Sequence, residues 1–255
     1  MTRNPLLLLV TIIGSLAAAL ALPAAPARAA VVSPPRPTII VYGDSLAWES
    51  QDFISFFLHL GKVDVVMRTF PGTALCDWSA SMAHDARTHP MAVILAFTGV
   101  SLTPCMRDAN GVDLTDQERI DKYRADSEAA LSIFADTKVW FAGYPISRSA
   151  DVAPDGQALR EMYKSLGTSH PNAHWVDAGV LDVTPDGHYT DTLPCLPFEP
   201  CQPTRISVVR APDGAHFCPI PHNDGRYECS MWSSGAFRYG LMMALPVLHD
   251  LGLLR

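Results

Sequence analysis

The residue whose type and position most directly suggest chemistry is Ser45. It lies in IIVYGDSLAWESQDF, which runs from Ile39 to Phe53. An apolar run ends there in Gly43-Asp44-Ser45, and a helical pattern begins at once. A serine at a helix start sees exposed backbone N–H groups and the positive end of the helix dipole, both of which favour negative charge nearby. If its Oγ attacked a carbonyl, the resulting oxyanion would meet a donor in the N–H of Ser45 itself. The same position also suits an ordinary N-cap, by Ser45 or by Asp44, worth about 1 kcal/mol. The stretch is not Gly-x-Ser-x-Gly, so it is not the strained elbow of the α/β-hydrolases.

A serine hydroxyl is a weak nucleophile without a base. Of the nine histidines in the chain, His216 stands out in RAPDGAHFCP, three residues after Asp213. On a tight turn that spacing brings a carboxylate to imidazole Nδ1, fixes the tautomer and leaves Nε2 free for a serine. An Asp-Gly turn with an incidental histidine has the same spacing. His216, Cys218, His222 and Cys229 together offer the donor types of a Cys2His2 zinc site. In an exported chain the two cysteines are better read as a disulfide, so neither metal nor cofactor is expected.

Export is expected from the N-terminus, where Arg3, an apolar run from Leu6 to Leu22 and small residues at Ala27-Arg28-Ala29 have the layout of a secretory signal peptide over residues 1–29. An uncleaved anchor is the alternative. Cleavage places the protein outside the cell or in the cell envelope or periplasm, with no stable membrane insertion. The remaining 226 residues suffice for a single large α/β domain. Net charge is −7, and −9 without Arg3 and Arg28. With no basic run, that balance excludes nucleic acid and anionic membrane surfaces as natural partners. The six cysteines Cys76, Cys105, Cys195, Cys201, Cys218 and Cys229 all follow the signal. An even count in an oxidising compartment points to disulfides, and although six cysteines allow 15 connectivities, pairing in chain order is favoured because short closures are easy in Pro-rich loops.

These residues need a scaffold, and the chain supplies alternating apolar runs and amphipathic stretches. AVVSPPRP, residues 30–37, reads as an extended linker. Strands are expected over 38–42, 63–70, 91–99, 138–144 and 173–177. Helices are expected over 46–60, with Ile54, Phe57 and Leu60 inward; over 115–135, with a Thr115/Glu118 capping box and Ile120, Tyr123, Ala130 and Phe134 on one face; over 156–166, stopped by Gly167; and over 233–254, with Leu241, Met242, Leu245 and Leu248 packed. Residues 183–222 are loop-rich apart from the β-like RISVVR. Strands alternating with helices imply a parallel sheet covered on both faces, with its site outside the carboxyl ends of the strands, where Ser45, Gly72 and Gly99 all fall.

As a set, these residues resemble the SGNH (GDSL-type) hydrolase family, over roughly residues 38–254. The resemblance assigns the block I serine to Ser45, as nucleophile and first oxyanion donor; the block II glycine to Gly72 in RTFPGTALCDW; and the block V Asp-x-x-His to Asp213 and His216. It implies a flavodoxin-like fold, a three-layer α/β/α sandwich around a central parallel sheet. The family's members include esterases, lipases, carbohydrate deacetylases, thioesterases and acyltransferase-associated domains, and LTPC and DGAHFCP look most like its small exported bacterial members. Block III departs from the pattern: the family's Gly-x-Asn is here Gly99-Val100-Ser101, and losing one oxyanion donor typically costs about 10² to 10³ in rate. Trp48 and Trp78 flank the site in sequence, either as walls of a substrate pocket or as packing. The expected function is an exported serine esterase cleaving a carboxylic ester, whether short-acyl, lipid or O-acetyl glycan, without a cofactor. The alternatives are a non-catalytic domain binding acylated glycan or lipid, and an O-acyltransferase of the cell envelope. The sequence leaves oligomeric state open.

Overall fold

The computed structural model describes residues 35–200, 203–219, 229 and 231–254. The expected signal segment, residues 1–29, lies outside the described residues, as does most of the linker; residues 35–37 have no regular structure. Five strands form one parallel sheet: β1 (Thr38–Gly43), β2 (Asp64–Thr69), β3 (Ala92–Ala96), β4 (Lys138–Ala142) and β5 (Ala173–Val176), in the order β2-β1-β3-β4-β5. The chain starts in the interior at β1, moves out to β2, and returns across β1 to β3. The carboxyl ends of β1 and β3 therefore bound a topological switch point, the place where such sheets leave a crevice. Every residue of β3 is buried, as its unbroken apolar run requires of a strand covered on both faces.

One helical group contains α1 (Ser45–Glu49), α2 (Gln51–His59) and α7 (Ser234–Asp250). The other contains α3 (Ser79–Asp85), α4 (Asp116–Ile133) and α6 (Ala158–Ser169); a short helix, α5 (Arg148–Asp151), precedes α6. The capping box expected at α4 is present: Thr115 accepts from the Glu118 N–H and Glu118 accepts from the Thr115 N–H. Tyr123, Ala130 and Phe134 are buried and Ile120 is half-buried. A small antiparallel pair, β6 (Thr192–Pro194) and β7 (Ile206–Val208), organises the loop-rich segment.

The structure corrects several element boundaries. The helix expected over 46–60 is two helices, because Ser50 leaves helical geometry at φ −100°, ψ 0° and its N–H turns back to the Leu46 and Trp48 carbonyls. Leu60 is half exposed, and Leu58 takes the buried place beside Ile54 and Phe57. Gly167 does not end α6, which continues to Ser169; it is where the helix meets β5, and a Cβ there would lie 2.8 Å from the His174 carbonyl carbon and from Trp175 Cβ. On α7 the buried face is Ala236, Tyr239, Met243, Ala244, Val247 and Leu248, so of the four residues expected inward only Leu248 is fully buried. The N-terminal half of α7 carries Arg238, which is buried against Glu199 with Nε–Oε1 and Nη2–Oε2 both 2.7 Å. That pair ties the loop-rich segment to the last helix.

Candidate active site

Ser45 is the first residue of α1, directly after β1, and its cap is Asp44, whose carboxylate accepts the Leu46 N–H at 3.2 Å. The cap expected of either residue thus belongs to Asp44, and the Ser45 hydroxyl is not used in capping. The turn into α1 is tight: a Cβ on Gly43 would lie 2.4 Å from the Ala47 Cβ and 2.8 Å from the Ala96 carbonyl oxygen. Only glycine lets α1 rise this close to β3.

Asp44 also spans the switch point, accepting the Thr98 N–H at 2.6 Å and the Thr98 hydroxyl at 2.7 Å. Its complete burial pushes its carboxyl up to about 6, against the opposing effect of those donors. From the other side, the Tyr123 hydroxyl donates to the Val100 carbonyl at 2.7 Å, so the loop after β3 is held by β1 and α4 together.

Ser45, Asp213 and His216 come together although the serine and the histidine are 171 residues apart. Ser45 Oγ lies 2.9 Å from His216 Nε2, and His216 Nδ1 lies 2.6 Å from Asp213 Oδ2. Asp213 Oδ1 accepts the N–H groups of Ala215 and His216 at 2.9 and 3.0 Å. Burial would raise the Asp213 carboxyl, but these N–H groups and the imidazole together hold it below the usual carboxylate range. For His216, burial favours the neutral ring; it is outweighed by the hydrogen bond to Asp213 and the charges of Glu49, Asp213 and Asp44, which raise its pKa.

The turn carrying Asp213 and His216 is fixed from outside. The Arg148 N–H donates to the Gly214 carbonyl at 2.9 Å, and its guanidinium donates to the Pro212 carbonyl at 3.2 Å. Glu49, one helical turn after Ser45, accepts the Phe217 N–H at 2.7 Å. Sequence reasoning missed both residues. Glu49 had a signal, its i,i+4 spacing from Ser45; Arg148 had none.

Ser45 and His216 open onto a cavity of about 430 Å³ lined also by Thr98, Gly99, Val100, Asp116, Arg119, Tyr144, Ser147, Ser149 and Asp155. Gly72, Ser101, Trp48 and Trp78 are not among its lining residues. Gly72 sits in the turn after β2, and Ser101 is half-buried just beyond the lining stretch. Trp78 is packed edge-on against Tyr42, at 6.0 Å between ring centroids, and donates from Nε1 to Thr73. Trp48 lies against Phe70, at 6.5 Å between ring centroids.

Disulfides join Cys76 to Cys105 and Cys218 to Cys229, the first and third pairs in chain order. The second of these fixes the chain two residues after His216. Cys195 is disulfide-bonded as well, and its expected partner, Cys201, lies outside the described residues. The zinc alternative loses its cysteine donors to the Cys218–Cys229 bond. No described helix is long and apolar enough to cross a membrane.

A family model described as "Protein of unknown function (DUF459)" matches residues 38–221, more than half of the chain. The chain belongs to the DUF459 family. The DUF459 domain has the fold of solved GDSL-like and carbohydrate esterase structures. An acetyl esterase, solved as a serine-to-alanine mutant with an acetate ion, is 13% identical, covering 84% of this chain and 97% of its own, with a TM-score of 0.50. A protein described as a GDSL-like lipase from Parabacteroides merdae is 13% identical over 86% of this chain and 97% of its own, also with a TM-score of 0.50. A family 3 carbohydrate esterase from Talaromyces cellulolyticus is 14% identical over 86% of this chain and all of its own, again with a TM-score of 0.50. No curated protein matches at a significant level.

Proposed function

We propose that this DUF459 protein is an exported serine hydrolase that cleaves a carboxylic ester on a hydroxyl-rich molecule, such as an O-acylated glycan. The observation that carries the reading is the unbroken chain from Ser45 Oγ to His216 Nε2 at 2.9 Å and from His216 Nδ1 to Asp213 Oδ2 at 2.6 Å. In the cycle, Ser45 Oγ attacks the acyl carbonyl while His216 Nε2 takes its proton, and the oxyanion is received by the Ser45 N–H, with the Gly72 N–H and Ser101, in place of asparagine, assigned as its partners by the family resemblance alone. The tetrahedral intermediate collapses to an ester on Ser45, and the leaving alkoxide takes the proton from His216 Nε2. Water then attacks the acyl-enzyme, with His216 again accepting and returning a proton. Asp213 holds the ring in the tautomer with hydrogen on Nδ1 and stabilises the imidazolium.

Polar groups set among the apolar residues of the cavity wall support a glycan substrate. Arg119 is oriented by Asp116 at 2.8 Å, and Asp155, Ser147 and Ser149 add further donors and acceptors. Beside Leu46, Ile120 and Leu159, which offer apolar surface to an acyl chain, these groups offer hydrogen-bond partners to the hydroxyls of a sugar. Acetyl and carbohydrate esterases among the structural neighbours agree with this. The same acyl-enzyme would serve an O-acyltransferase if a sugar hydroxyl in the cavity intercepted it before water. The signal over residues 1–29, the linker over 30–37 and the hydrolase domain over 38–255 complete the reading; the disulfides fit an oxidising compartment. The test is turnover of short-chain nitrophenyl esters and O-acetylated glycans by residues 30–255 with disulfides formed. Wild type should turn over and Ser45→Ala should not; equal activity in the two proteins would end the proposal.

A further inference from the structure

Glu49 lies at the end of α1, four residues after Ser45 and on the same side of the helix. Its Oε2 accepts the Phe217 N–H at 2.7 Å. The next peptide is also held, since the buried Ser233 hydroxyl donates to the Phe217 carbonyl at 2.8 Å while capping α7. The residue immediately before the clamped Phe217 is His216. A half-buried carboxylate on the helix that carries Ser45 therefore grips the turn that carries His216. Neither capping nor core packing accounts for it, because its partner is the amide next to His216.

We infer that Glu49 is a positioning residue that docks the His216 turn onto the Ser45 helix and places a further negative charge beside the imidazole. The inference rests on the serine-hydrolase reading given above. The docking part follows from the hydrogen bond: removing the acceptor frees the amide just after His216, whose Nε2 is held 2.9 Å from the serine. A misplacement of about 1 Å at such a contact can cost on the order of 10² in rate. The charge part follows from the groups that face His216. These are Asp213 on its own turn, Asp44 at the β1–α1 junction and Glu49 on α1, with the Arg148 guanidinium bound to the turn at Pro212. Glu49 in turn faces His216 and Asp213, and its carboxyl is raised by burial against the pull of the Phe217 N–H and the imidazole.

The two parts separate in two substitutions. Glu49→Gln keeps an oxygen for the Phe217 N–H but removes the charge; Glu49→Ala removes both. The measurements are kcat and KM for a nitrophenyl ester against pH, and an NMR titration of the assigned His216 imidazole, with Asp52→Asn as a control for a charge lost nearby on an exposed site. In Glu49→Gln, the acid limb of kcat/KM and the His216 titration should both move to lower pH, with plateau kcat within a few-fold of wild type. Glu49→Ala should lose about 10- to 100-fold in kcat with KM little changed, and Asp52→Asn should leave the limb in place. An unmoved limb and an unmoved imidazole titration in Glu49→Gln would overturn the charge role; full kcat in Glu49→Ala would overturn the docking role. If wild type turns over no ester, the hydrolase reading fails on its own, and the NMR titration still decides whether Glu49 acts on His216.

Discussion

Replacing Asp213 by Asn changes one terminal atom and should separate orientation from folding. In the wild type, Asp213 Oδ1 accepts two N–H groups of its own turn, at 2.9 and 3.0 Å, while Oδ2 faces His216 Nδ1 at 2.6 Å. The asparagine oxygen can keep the two turn bonds, so the turn should persist and stability should change by no more than about 1 kcal/mol. The amide NH2 then faces Nδ1 and donates to it, forcing the ring proton onto Nε2. A protonated Nε2 points at Ser45 and cannot take its proton. In a triad of the same design, that wrong tautomer costs about 10⁴ in kcat, and a loss of about that size is expected here. Asp213 also helps raise the pKa of His216, which must be neutral to act as base, so the wild-type rate should rise with pH through that raised value. In the variant, the residual activity should show its acid limb at lower pH. The assay is kcat for a nitrophenyl ester across the neutral pH range, with urea unfolding measured in parallel. A loss of less than about 10-fold in a protein of unchanged stability would refute the tautomer argument.

Three further outcomes follow from the same geometry. Ser101→Asn should raise turnover by restoring an amide donor, read as kcat on the same ester; an unchanged or lower rate would count against a direct oxyanion role. Arg238→Ala should destabilise the fold by about 3–5 kcal/mol in urea, because it leaves Glu199 buried without its partner. The buried Asp44 carboxyl, pushed up to about 6, binds its proton more tightly folded than unfolded, so its stabilising contribution is complete below about pH 4 and is lost as pH rises through 6. Asn cannot titrate, so the stability difference between wild type and Asp44→Asn should move in favour of the variant by about 2–3 kcal/mol from about pH 4 to about pH 7; a pH-independent difference would contradict it.

Much of the sheet was legible because apolar runs such as Ala92–Ala96 have no alternative to burial on both faces, and the Thr115/Glu118 box marked the start of α4 through local bonds alone. Boundaries decided by tertiary contact were not legible. Gly167 has the composition of a helix stop but serves the approach of α6 to β5, and the break at Ser50 comes from backbone bonds that no side chain announces. At the site, Asp213 and His216 are neighbours in sequence, so their hydrogen bond could be anticipated. Their meeting with Ser45 depends on the crossover that brings the last turn back to the end of β1. The buried Arg238–Glu199 pair and the Arg148 latch are the hardest kind of contact to foresee, since each joins segments far apart in the chain through charged side chains that usually face solvent.

The central claim is that the Ser45 hydroxyl is an activated nucleophile. Its most direct test is incubation of the wild-type protein with a fluorophosphonate probe, followed by mass spectrometry of the modified peptides. A single phosphonyl adduct on Ser45, lost in His216→Ala, is the expected result. An unlabelled protein, or an adduct on any other residue with Ser45 unmodified, would contradict the claim.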